Sequence, residues 1–534
     1  MEICIIYIVA ILLYGSLFVL CLYRPKFVFL EKIFRKIYIL HIFNVLISIF
    51  SLIRTITHMN DYKEPFFETY FYVAFYIDAL SLWFNFIVAA VTVMVSFHSW
   101  AYIDFKNNQE DIKEKRLFNA SKYYFLLNTF VLSMFLVQMI NDLIILCVML
   151  EITTLVSAFL VCFDLNSKSV EASWKYITLC SLAMIFTLIG TLFITLAFKD
   201  PSKVTLSIQE LIDPNQSLFD NNKIIYLKMA FFFVLVGLIT KSGLAPLHSW
   251  LPDSHAEAPS PISALLSGVL LKTSFFALLR YYQVIVPFFT SSDDKIFINN
   301  ILMTIGLISL IIAVPFIMNE KQEDFKRILA YHSLNHMGII VFATGLGTRM
   351  ALYAALLHAF YHALTKALMF IAHGAIRLNI LSLTKDQPEN FPERKYSLLS
   401  INKFYGLMIA LGGLALVGSP PFAIFTTEYK ILMIAITESS EWTMIFATVL
   451  FLLSLILIFG GLTNHIGRWI IDGNVFKIND DRNSSNDTKH HMNNSILDYF
   501  PIIFLFLFIC IFGFGIFEIF ETIIYNATST LYKV

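Results

Sequence analysis

The stretch KSGLAPLHSWLPDSHAEAPSPISALLSGVLLK, residues 241–272, carries the reading of this chain. It overlaps the end of one apolar run, 226–246, and leads into another, 261–286. Pro246, His248, Pro252, Asp253 and His255 interrupt the apolar pattern, with Lys241 just before them and Lys272 inside the second run. Proline has no amide hydrogen and its ring clashes with the preceding turn, so a helix stops or kinks there. At membrane depth a broken helix is tolerated only where the freed backbone is buried in protein or lines a cavity. A motif this polar between apolar flanks therefore marks an interior, provided that the flanks cross a membrane.

The composition indicates that they do. Of 534 residues, 58% are hydrophobic and 14% charged, against about 45–50% and about 25% in soluble domains. A soluble multi-domain enzyme, a disordered chain, a coiled coil and a disulfide scaffold are all excluded. Apolar runs lie near 4–23, 37–55, 73–97, 122–140, 143–163, 174–198, 226–246, 261–286, 298–318, 326–346, 351–376, 404–437, 443–463 and 500–522. At roughly 20 residues per crossing, these give about 14 spans. The runs are continuous rather than alternating, so the spans are helices and the fold class is an all-α integral membrane protein. The first run lacks a basic leader and an Ala-x-Ala site, and reads as a retained helix.

The 38 basic and 38 acidic residues cancel, so net charge gives no footprint for a nucleic-acid partner. Their distribution is informative. Basic clusters follow span 1 (Arg24, Lys26, Lys32, Arg35, Lys36), span 3 (Lys106, Lys113, Lys115, Arg116, Lys122) and span 11 (Arg377, Lys385, Arg394, Lys395, Lys403). Alternate loops hold roughly 24 basic residues on one side and roughly 10 on the other; the richer side is read as cytoplasmic, which puts both termini outside. Sequons at Asn483 and Asn486 then fall on the cytoplasmic side and carry no weight. The longest polar stretches are 98–121, 199–224, 377–402 and 464–498, the last a linker to a final helix. Cys4, Cys21, Cys147, Cys162, Cys180 and Cys510 show no metal or redox spacing and read as small buried residues.

A second interruption, GSPPFAIFTTEYKIL at 418–432, places Pro420 and Pro421 within span 12, with Glu428 just beyond. The two breaks are five spans apart, which suggests paired repeats. Interrupted spans at matching positions point to a transport site. Other ionisable residues lie inside runs: Glu151 in span 5, Lys272 in span 8, His336 in span 10, and His358, His362 and Lys366 in span 11. A charge at the bilayer centre costs about 2.5–3.5 kcal/mol on insertion scales, so such residues persist when paired or functional. His358, His362 and Lys366 follow at intervals of four and share one helix face. Histidine and a desolvated lysine both suit proton relay. Four basic residues are assigned to spans: Lys241, Lys272, Lys366 and Lys430, the last adjoining Glu428. Glu151 and Lys241 are expected to pair. The His358-x-x-x-His362 spacing lacks the glutamate of HExxH and a nearby third ligand, so no metal site and no cofactor is expected. Asp78, alone in span 3, reads as a helix-contact residue.

The segments at 241–271, VEASWKYI (170–177), DFKRILAYHSLNHMGI (324–339), LLHAFYHALTKALMF (356–370) and GSPPFAIFTTEYKIL (418–432) resemble the antiporter-like membrane subunits of complex I, Mrp antiporters and group 4 hydrogenases, most of all the hydrogenase-4 component F branch. Glu151 in LEITTL extends the likeness to span 5. The resemblance implies 14 core helices with inverted five-helix repeats at spans 4–8 and 9–13. It divides the chain into 1–121, a first repeat at 122–286, a second at 298–463, and a loop with a C-terminal helix at 464–534. It implies proton movement past Glu151, Lys241, Lys272, His336 and Glu428, driven by redox chemistry in partner subunits. The partners implied are other membrane subunits and a peripheral redox module, with no redox cofactor in this chain. The membrane would be an inner cell membrane or that of an energy-converting organelle. The long lateral helix of the largest complex I subunit is not evident. A monovalent cation/proton antiporter subunit and the membrane subunit of an inorganic-carbon uptake system remain alternatives.

Overall fold

The computed structural model describes residues 2–23, 38–70, 73–108, 113–200, 205–212, 223–289, 291–322, 324–383, 397–438, 442–471 and 496–531. The basic loop residues Arg24, Lys26, Lys32, Arg35, Lys36, Lys385, Arg394 and Lys395, both sequons, and most of the 464–498 linker lie outside them.

Six helices come first: α1 (Glu2–Tyr23), α2 (Tyr38–Asn60), α3 (Ala79–Asn108), α4 (Lys113–Met139), α5 (Leu143–Val161) and α6 (Ser167–Leu196). The first break separates α7 (Ile224–Lys241) from the short α8 (Trp250–Glu257). Then follow α9 (Ser260–Phe288), α10 (Ser292–Ile317), α11 (Phe325–Gly345) and the 35-residue α12 (Arg349–Leu383). The second break separates α13 (Lys403–Leu416) from α14 (Ala423–Thr437), and α15 (Trp442–Ile471), α16 (Ile496–Phe514) and α17 (Glu518–Leu531) complete the described chain. Helix starts carry side-chain caps where the sequence supplies them. Asp142 accepts from the amides of Ile144 and Ile145 at 2.8 and 2.9 Å, and Asn166, Asp324 and Asn402 cap α6, α11 and α13. Such caps satisfy amides that the first turn leaves without partners.

Among the described residues, eleven helices are long and apolar enough to cross a membrane, and twelve if the bent pair α16–α17 is one span. The expected figure of about 14 is not reached by length and apolarity alone. His332, Asn335 and His336 dilute the apolar character of α11, and the second break leaves α13 and α14 as pieces of 14 and 15 residues. These are the segments where polar function displaces apolar length. The most apolar windows of α9 and α12 are entirely buried, against 33% for α1 and 39% for α6, α10 and α15. Helices α9 and α12 are thus the axis of the bundle. Helix α12 packs on α3, α9, α11, α13, α14 and α16.

Three features depart from the sequence reading. Residues 73–77, taken as the start of span 3, form a strand paired antiparallel with 66–70, in register Phe66↔Ile77 to Tyr70↔Val73. FFETY and VAFYI are aromatic and β-branched, which favours a pleated surface, and Asp78 then caps α3 through the Ser81 amide at 2.9 Å. The C-terminal segment is two helices, α16 and α17, bent by 71°, rather than one. The turn follows Gly513 and Gly515, residues weak in helix propensity. Finally, Arg280 is a basic residue inside the spans that the sequence reading did not single out. It is buried in α9 and grips Asp78 through both guanidinium ends, at 2.6 and 2.5 Å. Gln283 and Ser81, each at 2.7 Å, also accept from it. Lys430 is instead exposed and lies over the Tyr353 ring, 5.5 Å from its centroid.

Candidate functional site

The first break is built by α7 stopping at Lys241. Gly243 sits at φ +70°, the left-handed conformation that commonly ends helices. Trp250, the first residue of α8, donates its indole N–H to the Thr240 carbonyl at 3.0 Å. The chain therefore folds back across the end of α7 and buries the lysine. Lys241 donates to the carbonyl of Leu150 and the hydroxyl of Thr154, both on α5. Glu151, the neighbour of Leu150, accepts from Ser181 of α6 at 2.5 Å through Oε1, and its Oε2 has no protein partner. The expected Glu151–Lys241 ion pair is not formed. The helical turn that brings Leu150 and Thr154 to the ammonium group directs Glu151 to α6 instead. Both residues nevertheless flank the same α5 turn.

Beyond the break, Pro246 and His248 lie in the connection, with the His248 ring against Phe316. Pro252, Asp253 and His255 are on the helix α8 rather than in a loop. Asp253 takes Lys175 of α6 at 3.2 Å and Arg327 of α11 at 2.9 Å. It is thus a strut between helices rather than part of the interior. His255 is fully buried, neither ring nitrogen has a protein partner, and its ring faces Phe370 of α12.

In α9 the backbone widens to a π-helical turn over Leu266–Leu270. Such turns shift the hydrogen-bond ladder and frequently mark functional sites. Here Lys272 donates to the Ser267 carbonyl at 2.6 Å, while the Ser267 hydroxyl meets Ser333 of α11 at 2.7 Å. Lys366 donates to the Leu329 carbonyl of α11 at 2.5 Å. Both lysines are buried, and neither has an ion-pair partner among the described residues. Lys272 and Lys366 interact electrostatically with each other and with His336 and His362.

The span-11 stripe faces inward. His358, His362 and Lys366 are all fully buried, and His336 of α11 gathers the rings. Its centroid lies 4.5 Å from that of His362, 5.1 Å from His358 and 4.7 Å from His332. The hydrogen bonds fix tautomers. The Leu416 carbonyl can only accept, so His336 donates from Nε2, at 3.1 Å. Thr427 gives its hydroxyl hydrogen to the Ile424 carbonyl at 2.8 Å, so it must accept from His358 Nδ1, also at 2.8 Å. That leaves His336 Nδ1 and His358 Nε2 facing each other at 2.9 Å. Two neutral rings would oppose lone pairs there. A proton or a cation placed between them satisfies both.

Glu428 completes the cluster from α14. It is half-buried, and ligand atoms of His336, His358 and Glu428 all lie within 4.8 Å of one another. The second break places it there. Gly418 holds φ +73°, and a Cβ at that position would collide with the Glu428 carboxylate. Pro420 and Pro421 form the turn, and Gly513 of α16 packs so closely on Pro421 that a Cβ would strike its carbonyl.

The structure therefore joins Lys272, His336, His358, His362, Lys366 and Glu428 in one interior region. Glu151 and Lys241 form a separate group at the first break, and no hydrogen bond or ion pair links them to Lys272. Sequence reasoning missed His332, Thr427 and Ser267. His332 precedes His336 by four residues, the same interval already recognised in α12. It also missed a chain at the α2–α4 contact, where His41 bridges Tyr124 and Asp104, the latter at 3.1 Å.

Residues 140–454 match the family described as NADH:quinone oxidoreductase/Mrp antiporter, TM. The chain is 33% identical to a hydrogenase-4 component F homolog of Methylacidiphilum infernorum, over 56% of this chain and 60% of that protein. It is 28% identical to hydrogenase-4 component B of Escherichia coli, over 66% of this chain and 49% of that one. It thus spans about half to three fifths of the length of these curated relatives. In fold it is similar to a chain of the Mrp complex of a Dietzia species, with TM-score 0.76, 18% identity, and 99% and 97% of the two chains covered. A chain of respiratory complex I from Thermus thermophilus gives TM-score 0.66 and 19% identity, with 99% of each chain covered. With the profile match covering more than half its length and the apolar bundle described above, the chain is an integral membrane protein of the NADH:quinone oxidoreductase/Mrp antiporter transmembrane family.

Proposed function

We propose that the chain is a proton-translocating membrane subunit of a multi-subunit, redox-driven complex of the hydrogenase-4 or NADH–quinone oxidoreductase type. The observation that carries this reading is the buried group Lys272–His362–His336–His358–Glu428. It is a set of titratable side chains in a membrane interior: Lys272 and His336 lean on backbone carbonyls, His358 meets His336 and Thr427, the His362 ring nitrogens have no protein partner, and no fixed counter-charge pairs with the lysines or histidines among the described residues. Groups held this way gain and lose protons without breaking a structural ion pair.

A proton enters beside Glu151, where Ser181 orients the carboxylate, and reaches Lys241. From there it passes to Lys272 and across the histidine rings, with Lys366 as a second buried base. It leaves through Glu428 at the second break. Residues 122–286 and 298–463 act as two repeats, each with one break, between an N-terminal part (1–121) and a C-terminal part (464–534). The chain carries no redox site of its own. Charge changes in neighbouring membrane subunits and a peripheral redox module drive the stroke. Both termini face outward from an energy-converting membrane.

The test is proton movement in proteoliposomes holding the complex co-purified through this chain. Glu151→Gln keeps the Ser181 hydrogen bond and removes the charge. It should lower proton uptake at least tenfold with assembly unchanged. Undiminished pumping would sink the proposal, and sodium-dependent exchange without redox partners would favour an antiporter subunit.

A further inference from the structure

We infer that His336, His358 and Glu428 form a binding site for a borderline divalent transition metal of the Zn²⁺ class. The sequence alone does not reveal such a set, because the His358 and His362 spacing lacks a third ligand. The fold assembles a different one from α11, α12 and α14, with ligand atoms mutually within 4.8 Å.

Three observations point to metal rather than to a chance cluster. Both imidazoles are oriented by their distal nitrogens, His336 on the Leu416 carbonyl at 3.1 Å and His358 on Thr427 at 2.8 Å. Metal-bound histidines almost always carry such an outer hydrogen bond, which fixes the tautomer and aims the free lone pair. The two free nitrogens face each other 2.9 Å apart. The third donor is the Glu428 carboxyl group, whose Oε2 lies against Gly418. Two nitrogens and a carboxylate oxygen match the His₂Glu set of open zinc sites, which keep a fourth position for water or another ligand. Hard cations such as Na⁺, Mg²⁺ or Ca²⁺ are disfavoured, because they take oxygen ligands.

The metal sits between the two free ring nitrogens. Zn–N bonds of about 2.0–2.1 Å in tetrahedral geometry separate two nitrogens by about 3.3 Å, so the rings need to part by about 0.4 Å. The charged and titratable groups around this seat are Lys272 of α9, His332 of α11, and His362 and Lys366 of α12. A bound divalent ion there closes the path to Glu428. The inference concerns ligation alone, so it stands or falls apart from proton transport.

The experiment is equilibrium binding to the purified full chain in detergent. Zn²⁺ affinity is measured against a chromophoric chelator, and Co²⁺ absorption reports coordination geometry. The expected result is one ion per chain and a visible tetrahedral Co²⁺ spectrum. Affinity should fall at least tenfold in His358→Gln and in Glu428→Gln. Thr427→Val is nearly isosteric and removes only the outer hydrogen bond. It should cost about 10–100-fold, which separates ligation from misfolding. Affinity unchanged in Glu428→Gln, loss confined to His362→Gln, or no stoichiometric binding by the wild type would each overturn the inference.

Discussion

Alanine at Gly418 tests whether the second break exists to place the Glu428 carboxylate. Two costs arise in Gly418→Ala. The first is backbone strain: φ is +73°, and an L-residue in the left-handed region costs roughly 1–2 kcal/mol. The second is collision, because the new methyl overlaps the Glu428 carboxylate. The carboxylate must swing away, out of reach of His336 and His358. Gly243→Ala at the first break separates the two costs. Its φ is +70°, so the strain is the same, but its Cβ meets methyl ends of Leu251 at 3.0 and 3.3 Å and of Leu271 at 3.4 Å rather than a carboxylate. Both variants should lose about 1–2 kcal/mol of stability. Only Gly418→Ala should also lose transport, by at least tenfold, or about 1.4 kcal/mol at the barrier. The assay pairs thermal unfolding of the detergent-purified chain with initial rates of proton uptake in proteoliposomes. Wild-type rates in Gly418→Ala, or equal transport losses in both variants, would refute the reasoning.

Two other perturbations probe the frame that holds the site. Asp78→Leu leaves the buried Arg280 guanidinium without its carboxylate and should destabilise by about 3–5 kcal/mol. The double variant Asp78→Leu/Arg280→Met should recover most of that loss, since well-packed apolar pairs replace buried ion pairs at little cost; a silent single variant or an additive double one would contradict this account of the pair. Gly513→Leu forces α16 off Pro421 and should cost about 1–3 kcal/mol through overpacking, read as a lower unfolding midpoint of the detergent-purified chain, and an unchanged midpoint would show that α16 does not brace the second break.

What the residue pattern reveals divides along chain distance. Both breaks were legible because glycine and proline act locally: Gly243, Pro246, Gly418, Pro420 and Pro421 end helices for reasons contained in their own backbones. The α12 stripe was legible because an interval of four places residues on one face wherever the helix lies. The hairpin at 66–77 was not, since an apolar aromatic run reads alike as strand or span. The grip of Arg280 on Asp78 joins residues 202 apart in sequence, and no local rule pairs them. Tautomer control was equally hidden. It depends on the Leu416 carbonyl, a backbone group that any residue type supplies, and on a Thr427 hydroxyl already committed to its own helix. The expected Glu151–Lys241 pair failed for a related reason. Sequence places the two charges near one another but does not say that a backbone carbonyl and a threonine hydroxyl reach the ammonium group first.

The arrangement of partners explains how so many basic groups share one interior. Lys241, Lys272 and Lys366 each lean on a backbone carbonyl, a dipole that accepts from an ammonium group yet bears no net charge. The carboxylates stand at the two breaks, Glu151 near the first and Glu428 at the second. Two unit charges 8 Å apart repel by about 2 kcal/mol at an effective dielectric constant of 20. Lys272 and Lys366 interact at close enough range for such repulsion to matter. A proton on one base therefore opposes occupancy of the next, and also opposes protonation of His336 and His358. Full occupancy of the row costs several such repulsions, whereas a single proton costs none. That repulsion favours one proton at a time in the row, as the proposed path requires, and Glu428 is the carboxylate nearest the histidine pair.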